Sequence, residues 1–247
     1  MLLEGGSAAF ALAPIAIAGG LIQGLTGFGS ALVTIPLATY FVPLPFALAV
    51  FAIVDFVNGL RLGLENPRNA VLGDIARMVP LMIAGIVTGT TLLVNLPRNA
   101  SLLALGGFVL GYALYSLARR GRLAVVSRHW SFVAGFCGGL SGTLFGAGGP
   151  PYAIYLSHRP LSKEQFRATM TLATIFSIGF RLVAFAVTGL LSQDGVWITA
   201  AAAIPAGLGA IWVASRIFHR ISREAVMRGV AVLLLASGAS LVARGLG

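Results

Sequence analysis

The amino-acid sequence repeats itself once, and this repetition limits the folds that the chain can adopt. A segment that begins with Gly19-Gly20-Leu21 recurs 119 positions later, and alignment of 19–37 with 138–156 gives eight identities in nineteen. With the register shifted by one residue, Phe46, Phe56, Gly59, Arg61 and Leu62 recur as Phe166, Phe176, Gly179, Arg181 and Leu182. Internal duplication is typical of transporter folds, whose substrate sites lie where the repeats meet. We therefore divide the chain into two repeats, 1–122 and 123–247.

The composition places both repeats in a lipid bilayer. The chain is 57% hydrophobic and 10% charged, with a mean hydropathy of +0.93, which excludes an ordinary soluble domain. A helix needs about 20 mostly apolar residues to cross a membrane. The predicted spans are 45–64, 74–94, 100–118, 165–189, 196–216 and 225–243. Two further apolar regions, 7–42 and 129–156, are interrupted by glycine and proline.

The net charge of +10 does not indicate a nucleic-acid partner. The basic residues lie in short connections between apolar stretches, which is the charge distribution of a membrane protein. We expect a lipid environment, no nucleic acid, no cofactor and no metal site. The oligomeric state stays open.

The basic residues also predict the topology. If each interrupted region crossed once, the basic residues outside the spans would divide seven to eight between the two faces. If each region enters and returns on one side, they divide thirteen to two, with only Arg98 and Arg244 opposite the rest. The positive-inside bias favours the second arrangement. The predicted fold is therefore an all-α polytopic membrane protein, in which each repeat is a broken, re-entrant helical hairpin followed by three spanning helices.

An odd number of crossings in each repeat turns the second copy upside down relative to the first. This is the inverted-repeat arrangement of secondary transporters. It places both termini on the non-cytoplasmic side.

The glycine-rich turns of the two hairpins are the first candidate site. A helix that begins after such a turn directs free backbone N–H groups and the positive end of its dipole into the turn, which suits an anion. Prolines 150 and 151 are suited to the start of such a helix. Tight helix packing by small residues is the alternative interpretation of these glycines. The candidate substrate-binding residues of the turns are Gln23, Gly24, Thr26, Gly27, Phe28, Gly29, Ser30, Ser141, Thr143, Gly146, Gly148 and Gly149.

Two arginines within spans extend the candidate site. Arg61 and Arg181 occupy equivalent positions of the two repeats. A guanidinium group within a bilayer is costly unless it is paired or faces water, and its planar fork suits oxyanions. The alternative is an arginine that extends to the nearer membrane surface, particularly for Arg61, near the end of its helix.

Asp55 and Asn58 are candidates for ion coupling. They lie one helical turn apart on one face, and a buried carboxylate can carry a proton or pair with an arginine. Thr171, Thr174 and Ser177 place hydroxyl groups on the corresponding helix of the second repeat. Such hydroxyls line pathways or bond to the preceding helical turn.

The two hairpin sequences resemble those of the sulfite exporter TauE/SafE family. The resemblance rests on Gly19 to Gly29, with the sequence GGLIQGLTGFG, and on Gly138 to Pro150, with the sequence GGLSGTLFGAGGP. It implies a bacterial inner-membrane permease that exports small sulfur oxyanions or organosulfonates, such as sulfite or sulfoacetate. It assigns no residue role beyond the hairpin turns.

The residues and the resemblance together predict a secondary transporter that exports a small anion by alternating access at the interface of the two repeats. A proton or another ion is a candidate coupling partner. An anion channel is the nearest alternative, and a membrane assembly factor is another. An intramembrane serine protease is the third alternative, because Gly139-Leu140-Ser141-Gly142 matches a G-x-S-G motif, but no histidine lies mid-span to serve as base.

Overall fold

The computed structural model describes residues 6–26, 29–63, 67–118, 125–217 and 223–246, and these ranges fold into α-helices joined by short connections. Two 3₁₀ turns, Pro67–Asn69 and Leu190–Ser192, lie in the connections. The helices are α1 Gly6–Thr26, α2 Ser30–Ala38, α3 Leu44–Gly63, α4 Leu72–Asn95, α5 Arg98–Ala118, α6 Trp130–Phe145, α7 Gly149–Ser157, α8 Lys163–Val187, α9 Val196–Ile217 and α10 Arg223–Leu246.

Five helices of the described ranges are long and apolar enough to cross a membrane: α1, α3, α4, α8 and α9. The predicted spans 100–118 and 225–243 lie in α5 and α10, which are not among these five. The predicted all-α polytopic fold class is confirmed. Because α1 is long enough to cross by itself, the re-entrant path of 7–42 stays a prediction.

Each interrupted apolar region forms one long and one short helix. The short helices α2 and α7 contain nine residues each, which at about 1.5 Å per residue is under half of the roughly 30 Å hydrocarbon core. A Cβ atom at Gly19 would lie 3.4 Å from Ser30 Cβ, so α2 runs back beside α1. The ring of Tyr152 fills the space beside Gly138, so α7 runs back beside α6.

The two halves of the chain interlock, because the first long helix of each half packs along the third long helix of the other. Helix α1 packs along α9, and α6 packs along α4, while α3 packs on α8 and α5 on α10. Glycines permit the close approach: a Cβ at Gly20 would lie 2.5 Å from the Gly207 carbonyl oxygen, and one at Gly85 would lie 2.9 Å from the Leu140 nitrogen. Each half therefore covers a helix of the other, while the inverted orientation of the repeats stays a prediction.

Both short helices are fastened near their C-terminal ends. At the end of α7, the Tyr155 hydroxyl lies 3.1 Å from a carboxylate oxygen of the buried Asp74, at the start of α4, and Arg159 Nε lies 3.4 Å from the other oxygen. Just beyond the end of α2, the Thr39 carbonyl accepts a 2.7 Å hydrogen bond from Arg244, near the end of α10. These contacts fix one end of each short helix and leave the other end at the break.

Candidate functional site

The breaks of the two hairpins meet around one small cavity. A Cβ atom at Gly146, in the second break, would lie only 2.9 Å from the Cβ of Ala31 on α2. Helices α1, α2, α3, α6, α7 and α8 all contribute to the walls, so the cavity lies between the two halves of the chain. Its lining residues are Gln23, Gly29, Ser30, Ala31, Asp55, Gly142, Gly146, Ala147, Gly148, Gly149, Pro150, Tyr152, Thr174, Ser177, Ile178 and Arg181.

The breaks take their shape from two glycines in the left-handed backbone conformation. Gly29 precedes α2 with φ of 90°, and Gly146 follows α6 with φ of 71°. Residues other than glycine adopt this conformation at a cost of about 1–2 kcal/mol. The chain thereby reverses within a few residues and brings both turns to the cavity.

Replacing each of these two glycines with alanine is expected to distinguish backbone strain from steric crowding. Around Gly29 the nearest atom to an added Cβ is 3.8 Å away, so Gly29→Ala adds strain alone, about 1–2 kcal/mol. At Gly146 the same change also pushes against Ala31 and Ile35, which are at 2.9 and 3.0 Å, so we expect the larger loss of stability. Thermal unfolding of the purified variants measures both effects. Equal losses would show that the hairpin contact at Gly146 yields without cost.

The N-terminal end of α2 supplies backbone donors to the cavity. The first N–H groups of a helix have no partner within the helix, and the helix dipole makes this end positive. Here Leu32 N–H bonds to the Gly29 carbonyl at 3.2 Å, while Ser30 and Ala31 line the cavity. The equivalent end of α7 carries prolines at 150 and 151, which have no N–H. Helix α2 is therefore the stronger of the two anion-attracting ends.

Arg181 brings a buried positive charge to the cavity wall. Its side chain is on α8, the residue is 3% exposed, and Nη1 donates a hydrogen bond to the carbonyl oxygen of Gly142, in the last turn of α6. A cation at the C-terminal end of a helix is favourable because the carbonyls there lack partners in the helix. The Arg181 Nε atom is buried and has no hydrogen-bond partner among the described residues. The guanidinium group is thus held in place and retains an unused donor.

Asp55 places a carboxylate in the same cavity. The residue is 4% exposed on α3, and Ser30 Oγ donates to Asp55 Oδ1 at 2.9 Å. Within the described residues Asp55 makes no direct ion pair with Arg181. The two charges interact at longer range. The wall therefore combines one cation and one anion that do not neutralise each other by contact.

Neutral polar groups complete the lining. The Tyr152 hydroxyl donates to Ser177 Oγ at 3.0 Å. Gln23 Oε1 and Thr174 Oγ1 are buried without a hydrogen-bond partner in the described part of the chain. Since buried polar atoms are nearly always partnered, such atoms around one cavity indicate a polar occupant.

The cavity is narrow in this conformation. The volume that the centres of water molecules can occupy is about 30 Å³. One water molecule needs about 10–15 Å³ on this measure, so the cavity admits about two. An oxyanion is larger than that. Its entry requires the walls to move apart.

The structure brings eight of the predicted residues together at the cavity: Gln23, Gly29, Ser30, Asp55, Gly146, Gly148, Gly149 and Arg181. It also adds Thr174 and Ser177, whereas the Thr171 hydroxyl bonds to the Arg167 carbonyl at 2.9 Å. Gly27 and Phe28, and the side chain of Thr26, lie outside the described residues.

The other predicted residues lie away from the cavity wall. A Cβ at Gly24 would be 2.5 Å from Ala214 Cβ on α9, and the Thr143 hydroxyl bonds to the Gly139 carbonyl at 2.9 Å. Asn58 is buried beside Gly207, and Arg61 is exposed at the end of α3.

The Ser141 hydroxyl bonds to carbonyl oxygens of its own hairpin. It contacts the Cys137 carbonyl at 2.7 Å and the Ala147 carbonyl at 3.1 Å, and the second contact holds the second break against α6. The described histidines bond elsewhere, His158 to the Ile154 carbonyl and His129 to Ser127. Ser141 therefore has no histidine base among the described residues, which argues against the serine-protease alternative.

Tyr152 is a wall residue that the sequence interpretation missed. Its ring occupies the space that Gly138 leaves open, and its hydroxyl reaches Ser177. The available signal in the sequence was an aromatic residue directly after two prolines.

Comparison with known proteins identifies the family of the chain. The profile of the family described as "Sulfite exporter TauE/SafE" matches residues 12–241. A curated protein of Comamonas testosteroni, named "Probable inner membrane transporter protein TsaS", is 25% identical over 192 residues, which cover 76% of this chain and 80% of the relative. No solved structure matches the chain significantly. Because the family match covers all but short segments at the two ends, the chain is a membrane transporter of the sulfite exporter TauE/SafE family.

Proposed function

We propose that this protein is a secondary transporter that exports a small anion, sulfite or an organosulfonate, through the cavity between its two halves. Alternating access is the proposed mechanism, with one half rocking against the other around the hairpin breaks. In this proposal the protein spans an inner membrane several times, the two repeats are inverted, and both termini are non-cytoplasmic.

The main support for this proposal is the buried guanidinium group of Arg181. A cation in a low-dielectric interior binds an anion far more strongly than it does in water, because solvent screening is lost. Arg181 Nε has no hydrogen-bond partner among the described residues, and the amino end of α2 lines the same cavity. An oxyanion placed between them accepts hydrogen bonds from the guanidinium group and from backbone N–H groups, which is the recognition used for sulfate and phosphate.

The size of the cavity favours a carrier over an open channel. Room for about two waters does not admit an oxyanion, so passage requires a change of conformation. The packing of α1 on α9 and of α6 on α4 joins each hairpin to a helix of the other half, so in this proposal each hairpin moves together with that helix. Both short helices are fastened at one end, so such a movement opens or closes the cavity at the other.

The proposed substrate class is based on the family, and the proposed direction of transport is based on the negative charge of the substrate. The matched family is described as a sulfite exporter, and sulfonates share the oxyanion group that the cavity would recognise. A membrane potential that is negative inside expels an anion with about 2.3 kcal/mol per charge at 100 mV.

Counterflow in proteoliposomes tests the proposal. Vesicles containing the full-length protein and loaded with unlabelled sulfite are expected to take up external ³⁵S-sulfite faster than empty vesicles, because a carrier returns more quickly when loaded. Chloride-loaded vesicles serve as the control. Uptake that rises linearly with concentration and shows no acceleration would identify a channel, and absence of flux for sulfite and for small sulfonates would refute the substrate class.

A further inference from the structure

A second and larger cavity lies one length of α2 away from the first. The central cavity adjoins the N-terminal end of α2, whereas this one adjoins Thr39 at its C-terminal end, about 14 Å further for a nine-residue helix. Its volume is about 320 Å³, measured in the same way as the 30 Å³ of the central cavity, and the two cavities share no lining residue. Its walls include Thr39, Leu44, Leu96, Arg98, Leu102 and Arg244.

This cavity opens where several helices end. Leu44 and Arg98 are the first residues of α3 and α5, so two positive dipole ends lie here beside the negative C-terminal end of α2, and the charge of the cavity comes from its side chains. The ends of α4 and α10 lie beside them. The cavity therefore lies at one aqueous boundary of the helical bundle, the boundary that the charge distribution predicts to be non-cytoplasmic.

Two guanidinium groups give the cavity a positive charge that no described lining residue offsets. Arg244 is held in position: Nη2 donates to the Thr39 carbonyl at 2.7 Å, and its guanidinium carbon lies 4.5 Å from the centre of the Tyr40 ring. Arg98 is exposed and has no hydrogen-bond or ion-pair partner within the described ranges. The described lining contains no acidic residue. Arg98 and Arg244 are also the two basic residues that the charge count assigns to this face.

The remaining walls are apolar. Val42, Leu44, Leu96 and Leu102 face the cavity, and prolines at 43 and 45 stiffen one side. An inorganic oxyanion gains no binding free energy from such walls. An organic anion does gain binding free energy, because its apolar surface leaves water when it binds. A cavity of this size also lies in the range of small-molecule sites, about 300–1,000 Å³.

We infer that this cavity is a second binding site, for an organic anion whose single sulfonate or carboxylate group lies between Arg98 and Arg244 and whose apolar body contacts the leucine walls. The site does not depend on the proposed transport function, because it is defined by binding to the protein at rest. If transport proceeds as proposed, this site receives an organic anion after its release from the central cavity.

Equilibrium binding of benzenesulfonate to the purified full-length protein tests the inference. The protein is placed in nanodiscs of neutral phosphatidylcholine, and binding is measured by equilibrium dialysis. We expect Arg98→Gln to weaken binding by about tenfold to a hundredfold, the effect of one charge-assisted hydrogen bond. Arg98 is exposed and makes no hydrogen bond or ion pair with a described residue, so the variant is expected to fold normally. Arg128→Gln, a change at another exposed arginine, serves as the matched control with unchanged binding.

Three further measurements distinguish this site from its alternatives. Sulfate, which lacks an apolar body, is expected to compete at least tenfold more weakly than unlabelled benzenesulfonate, and equal competition would overturn the inference. Loss of binding in Arg181→Gln together with retention in Arg98→Gln would assign the ligand to the central cavity. Loss of binding in nanodiscs of acidic phosphatidylglycerol would show that a lipid headgroup is the occupant, which would also overturn the inference.

Discussion

Replacing Arg181 with glutamine is expected to lower sulfite flux about a hundredfold or more. The change removes the buried positive charge of the cavity, together with up to two charge-assisted hydrogen bonds to the anion, each worth about 1.5–3 kcal/mol. Glutamine keeps an amide donor but is shorter than arginine, so the hydrogen bond of Arg181 Nη1 to the Gly142 carbonyl is lost as well and the folding of the variant has to be checked. Initial rates of ³⁵S-sulfite counterflow in proteoliposomes measure the effect.

The matched control is Arg61→Gln, at the equivalent position of the first repeat. Arg61 is exposed and lies outside the cavity wall, so we expect flux within about threefold of the unchanged protein. Size-exclusion chromatography of both variants checks that they remain folded. Normal flux in Arg181→Gln would remove the central assumption of the proposed site, and equal loss in the two variants would show that charge at the repeat position matters rather than charge in the cavity.

The different positions of these two arginines show what a duplicated sequence predicts and what it leaves open. The duplication marked both hairpin breaks and both arginines as candidates, and the structure places the breaks and Arg181 at the cavity but not Arg61. It did not show that α3 ends at Gly63, two residues after Arg61, whereas α8 continues to Val187, six residues after Arg181. The longer helix keeps Arg181 in the interior. The end of a helix depends on the connection that follows it, and this connection is not repeated.

The same limit explains which residues of the breaks reach the cavity. Residues four apart share one face of a helix, so Gly19 and Gln23 face the hairpin, whereas Gly20 and Gly24 face α9. The second repeat follows this pattern: Gly142 lines the cavity, and Thr143 lies with Gly139 against α4. The periodicity is visible in the sequence, but the face that meets the partner helix is decided by tertiary packing.

Replacing Asp55 with asparagine is expected to abolish the response of transport to a pH gradient while leaving sulfite exchange in place. A substrate anion about 5 Å from an ionised carboxylate is repelled by about 3 kcal/mol at an effective dielectric constant near 20. Protonation of Asp55 removes this repulsion, so the anion and a proton favour each other's binding by the same amount, about a hundredfold. Asparagine imitates the protonated state permanently and retains an oxygen that can accept the hydrogen bond from Ser30.

Flux measured with and without an imposed pH gradient, at constant membrane potential, checks this expectation. Ser30→Ala is the matched comparison, because it removes the 2.9 Å hydrogen bond to Asp55 but keeps the carboxylate, and its flux should still respond to the gradient. A gradient response that persists in Asp55→Asn would assign the proton to another group. If exchange were lost along with the gradient response, transport would require the ionised carboxylate itself, because asparagine retains the acceptor for Ser30. Retained exchange without gradient response, seen only in Asp55→Asn, places the coupling at the one described carboxylate that lines the cavity.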